Sequence, residues 1–281
     1  MVHIITDSAS DLLPHELCAM GVDCVPSIII FGDEEYRENV TLSREKFFEL
    51  LQERKHFPRT AQPSTIECEE LFTKYMEMGD ETVMITLSSA FSGFYENVTA
   101  VKNYLGYENC YIVDGRSVSG GQRILIERAV SLRDEGKSAS EIAKDIEELR
   151  ERIELYACLD TLEYVYRGGR ISRTAYAIGT ISNIKPVVYV KHDGSVTIIA
   201  KMIGLTRGIN YIRDRLKIKE PDPDYPIYVL YTCDNENAQK LKEKIVKSGI
   251  EIPDEHMITV GAAIGSHVGI TGCGLAYVAK K

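Results

Sequence analysis

The chain has no tryptophan, no C-x-x-C pair and no apolar run near the roughly 20 residues that cross a bilayer. A helical membrane span is therefore not expected. Basic residues are the minority. Lys and Arg number 33 against 42 Asp and Glu, a formal net charge of -9. Nucleic-acid binding rests on cations that neutralise phosphates, so this balance argues against it. The seven cysteines (Cys18, Cys24, Cys68, Cys110, Cys158, Cys233 and Cys273) are scattered and mostly flanked by apolar residues. That pattern reads as reduced, packed thiols and not as a zinc site or a disulfide framework. The opening MVHIITDSASD lacks the positive lead of a signal peptide. A soluble, cytoplasmic protein is the expectation, with transient membrane contact still compatible.

Nucleotide and hydrolase signatures are missing too. No Walker lysine follows Gly120-Gly121, and no G-x-G-x-x-G follows a strand pattern. Ala90 stands where the first glycine of a G-x-S-x-G nucleophile elbow would be, which weakens Ser92 as a nucleophile. Neither a metal nor a cofactor is implied.

What is present is an ordinary globular composition, 44% hydrophobic and 27% charged over 281 residues, enough for a sizeable core. The first half alternates strand and helix patterns. Strands are expected at Val2–Thr6, Val22–Phe31, Thr82–Leu87 and Cys110–Val113. Helices are expected after Ser10 with Pro14 in the first turn, after Ser43, after the capping box at Ser64–Glu67, at Phe94–Leu105, after Gly120-Gly121, and after the capping box at Ser138–Glu141. This order predicts an α/β fold with a parallel sheet covered by helices on both faces. After about Glu151 the pattern changes. Ile153–Leu159 reads as a strand, followed by helical stretches at Thr161–Tyr166 and Ser172–Ser182. His192-Asp193-Gly194 lies between Val187–Val190 and Val196–Ile199, a hairpin signal. Lys219–Asp224 reads as an exposed, Pro-broken linker. Strand Ile227–Thr232, helix Asn235–Lys247 and strands Met257–Val260 and Leu275–Val278 complete a mixed sheet. The expected division is an N-terminal α/β domain, 1–152, and a C-terminal α/β domain with a mixed sheet, 153–281.

Small polar residues collect where strands end: Thr6–Asp11, Thr60–Ser64, Ser88–Gly93 and Ser117–Gly121. Loops at the carboxyl ends of parallel strands are where ligands bind, and free N–H groups at helix starts suit an anion. Each loop alone is better explained as capping and turn chemistry. Asp7 and Asp11 are spaced for a shared divalent ion, though Asp11 also falls at a helix start. His267 lies in the glycine-rich Gly261–Gly269, and a histidine in such a turn is most often bonded locally. From the residues alone, a hydrolase or phosphotransferase using Ser92, His267 and Asp7 stays open beside a binding protein or a lipid-sensing module.

Taken together, ITDSASDL (Ile4–Leu12), TAQPS (Thr60–Ser64), LSSAFSGFY (Leu87–Tyr95), VDGRSVSGGQ (Val113–Gln122), LDTLEYVYRGGRIS (Leu159–Ser172), IKPVVYVKHDG (Ile184–Gly194) and IGSHVGITGCGLAY (Ile264–Tyr277) resemble the DegV family of bacterial fatty-acid-binding proteins. The resemblance implies two α/β domains with a long-chain fatty acid between them. It also implies a non-catalytic carrier that presents the lipid carboxylate to a separate fatty acid kinase. It places the carboxylate at Thr60, Ala61, Ser92, Gly93 and His267, and a partner contact at Arg170. Apolar residues near the motif loops, Ile28, Phe91, Phe94 and Ile270, are candidates for the acyl-chain pocket. Three departures stand out: Ala61 replaces the second residue of the family's T-S-Q-P-S, Phe94 replaces Thr in S-G-T-Y, and Tyr166 replaces a basic residue before Gly-Gly.

Overall fold

The computed structural model describes residues 1–53, 57–173, 176 and 183–281. Strands β1 (Val2–Asp7), β2 (Val22–Val25), β6 (Glu81–Thr86) and β7 (Cys110–Asp114) form a four-stranded parallel sheet in the order β2-β1-β6-β7. Its strands are near-continuous apolar runs because both faces are covered. Ile4, Val83, Ile85 and Val113 face one core, with helices α1 (Pro14–Met20), α5 (Ser119–Asp134) and α6 (Ala139–Arg150). Ile5, Met84 and Cys110 face the other, with α3 (Thr65–Glu77) and α4 (Phe94–Leu105).

The expected strand Val22–Phe31 is two strands. Pro26 removes a ladder donor, and the chain leaves the parallel sheet there. It then enters β3 (Ile28–Phe31), the centre of a small antiparallel sheet with β4 (Glu34–Arg37) and β5 (Arg59–Ala61). Helix α2 (Arg44–Glu53) packs nearby through Phe47, Phe48 and Leu51. Ser10 does not cap α1 as expected. It closes a single 3-10 turn, Ser8–Ser10, whose N-cap is Asp7, and α1 starts three residues later behind Leu13.

Beyond Glu151, six strands form a mixed sheet in the order β10-β9-β8-β13-β11-β12. They are β8 (Ile153–Leu159), β9 (Ile184–Val190), β10 (Val196–Ile203), β11 (Tyr228–Tyr231), β12 (Met257–Thr259) and β13 (Gly272–Val278). Only β11 and β12 pair in parallel. One face is covered by α8 (Leu205–Ile218) and α9 (Glu236–Val246) through Ile209, Ile212, Leu216, Leu241 and Ile245. Helix α8 was not anticipated, although its 4-3-4 apolar spacing from Leu205 to Leu216 is a helix signal. The expected Thr161–Tyr166 helix is α7 (Glu163–Arg167), whereas most of Ser172–Ser182 lies outside the described residues. The expected linker at Lys219–Asp224 is anchored: Asp222 donates its N–H to the Val278 carbonyl at 2.8 Å and pairs with Arg152. Among the described residues no helix is long and apolar enough to cross a membrane.

Candidate functional site

The second face of the mixed sheet is not fully filled. Along β8, Leu155, Ala157 and Leu159 point to it, while Tyr156 and Cys158 belong to the core under α8 and α9. Val188 and Val190 of β9 extend the same surface. Gly272 and Gly274 of β13 lie opposite Leu159 and Ala157, so the floor between these strands carries almost no side chain. Together with the start of α5 and the motif loops, this surface lines a cavity that opens to solvent at its mouth. So apolar a wall suits a lipid chain.

Thr60, Ser92, His267 and Arg170 bring polar atoms to this cavity. Thr60 reaches it from β5, opposite Ile29 of β3. Its Oγ1 lies 3.1 Å from His267 Nε2. His267 sits in helix α10 (Ala262–Val268), not in the glycine-rich turn expected from the sequence. The glycines are there because the helix is tightly packed: a Cβ on Gly265 would stand 2.8 Å from the Phe47 ring, and one on Gly269 would stand 2.6 Å from Tyr164. Asp11 Oδ1 accepts the Gly261 N–H at 2.8 Å and Glu38 Oε1 accepts the Ala263 N–H at 3.1 Å, so two buried carboxyls hold the helix start. Burial pushes Glu38 up to about 7, with Asp11 adding to the shift.

Burial, with the Arg170 cation nearby, lowers the His267 imidazole to about 4, so it is neutral at physiological pH. Its Nδ1 is buried without a partner among the described residues. A buried N–H with no acceptor is the costlier orphan, which places the ring proton on Nε2. Nε2–H then donates to Thr60 Oγ1, and the threonine proton is left to donate into the cavity. The ring fits only because Gly168 has no side chain; a Cβ there would stand 2.0 Å from His267 Nδ1.

Ser92 arrives on the loop after β6. Asp7 Oδ2 takes the Leu87 N–H at 2.7 Å, and Asp114 takes the Ser89 N–H at 3.1 Å and its hydroxyl at 2.6 Å. These two carboxylates from the ends of β1 and β7 set the loop's shape. Asp7 is fully buried, and burial raises it to about 6 against the pull of the Leu87 and Ala9 N–H groups. Ser92 Oγ accepts the Phe94 N–H at 3.3 Å, and its own proton has no acceptor among the described residues. Gly93 is the N-cap of α4, exposed, with no partner for its N–H among the described residues.

Arg170 is the one Lys or Arg lining the cavity among the described residues. Its guanidinium donates to the carbonyls of Phe91, at 3.0 Å, and Gly168, and no carboxylate among the described residues pairs with it. The same arginine also borders a shallow surface depression with Gln62, Ser89, Ser92 and Gly93, so the polar end of the cavity lies beside open surface.

Of the residues singled out from the sequence, Thr60, Ala61, Phe91, Ser92, His267 and Arg170 line the cavity, and Gly93 borders the adjoining depression. Ile28, Phe94 and Ile270 do not line it. Phe94 is 0% exposed and packs with Phe72 and Val98 under the parallel sheet; Ile270 packs beside Phe47 and Phe48. The wall residues of β8, β9 and β13 were not anticipated, nor was Gly168. The hydrolase constellation is not assembled: His267 pairs with Thr60 and not with Ser92, and Asp7 is tied to backbone N–H groups. Among the described residues no group of three or more His, Cys, Asp or Glu could hold a metal ion.

Comparison with known proteins bears on this geometry. The profile of the DegV family, described there as uncharacterised protein, matches residues 1–280. A DegV domain-containing protein of Caldanaerobacter subterraneus is 31% identical over 280 residues, covering 99% of both chains. Among solved structures, a fatty-acid-binding DegV family protein from Thermus thermophilus superposes with a TM-score of 0.88 at 24% identity, covering 99% of each chain. A stearic-acid-binding protein from Eubacterium ventriosum gives 0.85 at 24%, covering 100% of this chain and 99% of its own.

Proposed function

Since the chain belongs to the DegV family, we propose that it binds a long-chain fatty acid in this cavity and presents the carboxylate to a separate fatty acid kinase. The observation that carries the reading is the lining of the void, where the hydroxyls of Thr60 and Ser92, the His267 imidazole and the Arg170 guanidinium meet a wall of sheet-borne Leu, Val, Ala and Gly. About 14 buried methylenes at ~0.8 kcal/mol each give a gross gain near 11 kcal/mol, from which ordering costs are subtracted. The tail therefore dominates affinity and the head sets direction.

A buried carboxylate needs donors. Thr60, oriented by His267, supplies one, Ser92 a second, and the Gly93 N–H a third. Arg170, half-buried and without a carboxylate partner among the described residues, adds positive potential beside these donors. The acidic oxygens would then lie next to the open depression, within reach of a second protein that carries the nucleotide. In this reading Arg170 also belongs to the partner-facing rim, and the chain acts as a carrier with no chemistry of its own. We propose in addition that 1–152 and 153–281 are its two domains, with the ligand between them; the parallel and three-stranded sheets end before Glu151 and the six-stranded sheet begins after it.

The test is to extract the purified protein and identify what it holds by mass spectrometry, then to delipidate it and titrate palmitate with and without candidate kinase and ATP. A stoichiometric fatty acid that becomes an acyl phosphate only when both proteins are present supports the carrier. Turnover of an acyl ester by this chain alone, abolished by Ser92→Ala, would replace it with the hydrolase.

A further inference from the structure

Ser27 lies at the bend between β2 and β3, 5% exposed, and lines the cavity. Its backbone is fully engaged. The Ser27 N–H donates to Ser8 Oγ at 2.9 Å, and its carbonyl accepts the Glu38 N–H at 3.1 Å, which continues the β3–β4 pairing by one residue. Ser8 in turn donates to Glu38 Oε2 at 2.6 Å. The Ser27 hydroxyl has no hydrogen-bond partner among the described residues. The residue is buried while its hydroxyl opens on the cavity, so the atom placed to partner that donor is one of the ligand's.

The strand register says which part of the ligand it meets. Ile29 lies opposite Thr60, so their side chains share a face. Alternation carried two residues back puts Ser27 on that face as well. Extending the register by one step sets Ser27 opposite Gln62 and diagonal to Thr60. Diagonal neighbours on one face are ~7–8 Å apart at Cα and closer at the side chains. A carboxylate with one oxygen at ~2.7 Å from each hydroxyl spans that interval.

We propose that Ser27 is a further head-group residue, donating its hydroxyl to the second oxygen of the carboxylate that Thr60 holds. The inference rests on the fatty-acid reading and extends it to a residue outside the motif loops. It also answers a departure in the sequence: the Thr60–Ser64 segment has Ala61 in its second position, and Ser27, just ahead of β3, brings a hydroxyl to the same cavity.

Titration calorimetry of the delipidated wild type, Ser27→Ala and Ser27→Thr with palmitate and with 1-hexadecanol tests it. The alcohol has the same chain length and no charge. Ser27→Ala is expected to weaken palmitate about tenfold, as loss of a charge-assisted hydrogen bond does, and to leave hexadecanol unchanged. Ser27→Thr, which keeps the hydroxyl, is expected to retain the palmitate affinity. Equal losses for both ligands, no loss, a gain, or a Ser27→Thr protein as weak as Ser27→Ala would each overturn the assignment while leaving fatty-acid binding intact. A wild type that binds palmitate no better than hexadecanol would instead remove carboxylate recognition altogether, and Ser27's role with it.

Discussion

The rim of the cavity and its wall differ in construction. At the rim, Thr60, Ser92 and His267 come from a three-residue strand, a loop and a seven-residue helix. Along the wall, Leu155, Ala157 and Leu159 come from an inner strand of a six-stranded sheet, paired on both sides. Rim geometry depends on partners far away in sequence: Asp11 and Glu38 hold the start of His267's helix, and Gly168 leaves room for its ring. Wall geometry depends on strand register alone. The lesson is that position at the rim is adjustable and titratable, whereas the wall is a rigid surface whose shape is set by which residues are small.

The largest effect should come from the wall. Ala157→Phe would place a ring over the floor left by Gly272 and Gly274. Shutting out about four methylenes costs ~3 kcal/mol, or roughly 100-fold in palmitate affinity. The melting temperature should hold or rise, because the ring fills a void. An unfolded variant, or one that binds palmitate normally, would show that the tail runs elsewhere.

A smaller loss is expected from the rim's foundation. Gly168 has φ -72, which alanine adopts freely, so Gly168→Ala acts chiefly through the collision with His267, 2.0 Å away, the Tyr164 carbonyl standing at 3.2 Å. Overpacking of this kind costs about 2 kcal/mol of stability. Denaturant titration should show it, with palmitate binding weakened as His267 is displaced. The double variant Gly168→Ala with His267→Ala should recover the stability and not the binding, which separates the two roles.

The smallest effect is a pH dependence peculiar to the rim. Folded Glu38 sits at about 7 and its ordinary value is 4.5. With the folded value raised, the stability it contributes is present below about 4.5 and is lost as pH rises through about 7. His267 has the opposite sign: lowered from 6.5 to about 4, its contribution is present above 6.5 and is lost as pH falls toward about 4. Glu38→Gln should therefore gain stability relative to the wild type on the alkaline side, on the order of 1 kcal/mol. Chemical denaturation across the neutral range reads this directly. A constant difference at every pH would mean that Glu38 does not titrate there.

The two regions were also unequally legible in the sequence. The order of strands and helices could be read because apolar periodicity and capping boxes such as Ser138–Glu141 act locally. The rim residues followed from motif loops that together resemble one family. The wall could not be read. Strands buried on both faces, such as Ile153–Leu159, are apolar at nearly every position, so alternation does not reveal which side lines a cavity. Two misreadings did have a local signal. Pro26 marked the break between β2 and β3, and the four-residue spacing of Gly261, Gly265 and Gly269 fits one face of a helix as well as a turn. Gly168 had none, since its reason is a histidine 99 residues on.

A crystal structure of the protein loaded with palmitate tests the central claim most directly. The account predicts the carboxylate within hydrogen-bond distance of Thr60 Oγ1 and Ser92 Oγ, with the chain lying along Leu159, Ala157 and Leu155. A reversed lipid, its carboxylate at the Leu155 end, or a cavity that stays empty at saturating palmitate would contradict it.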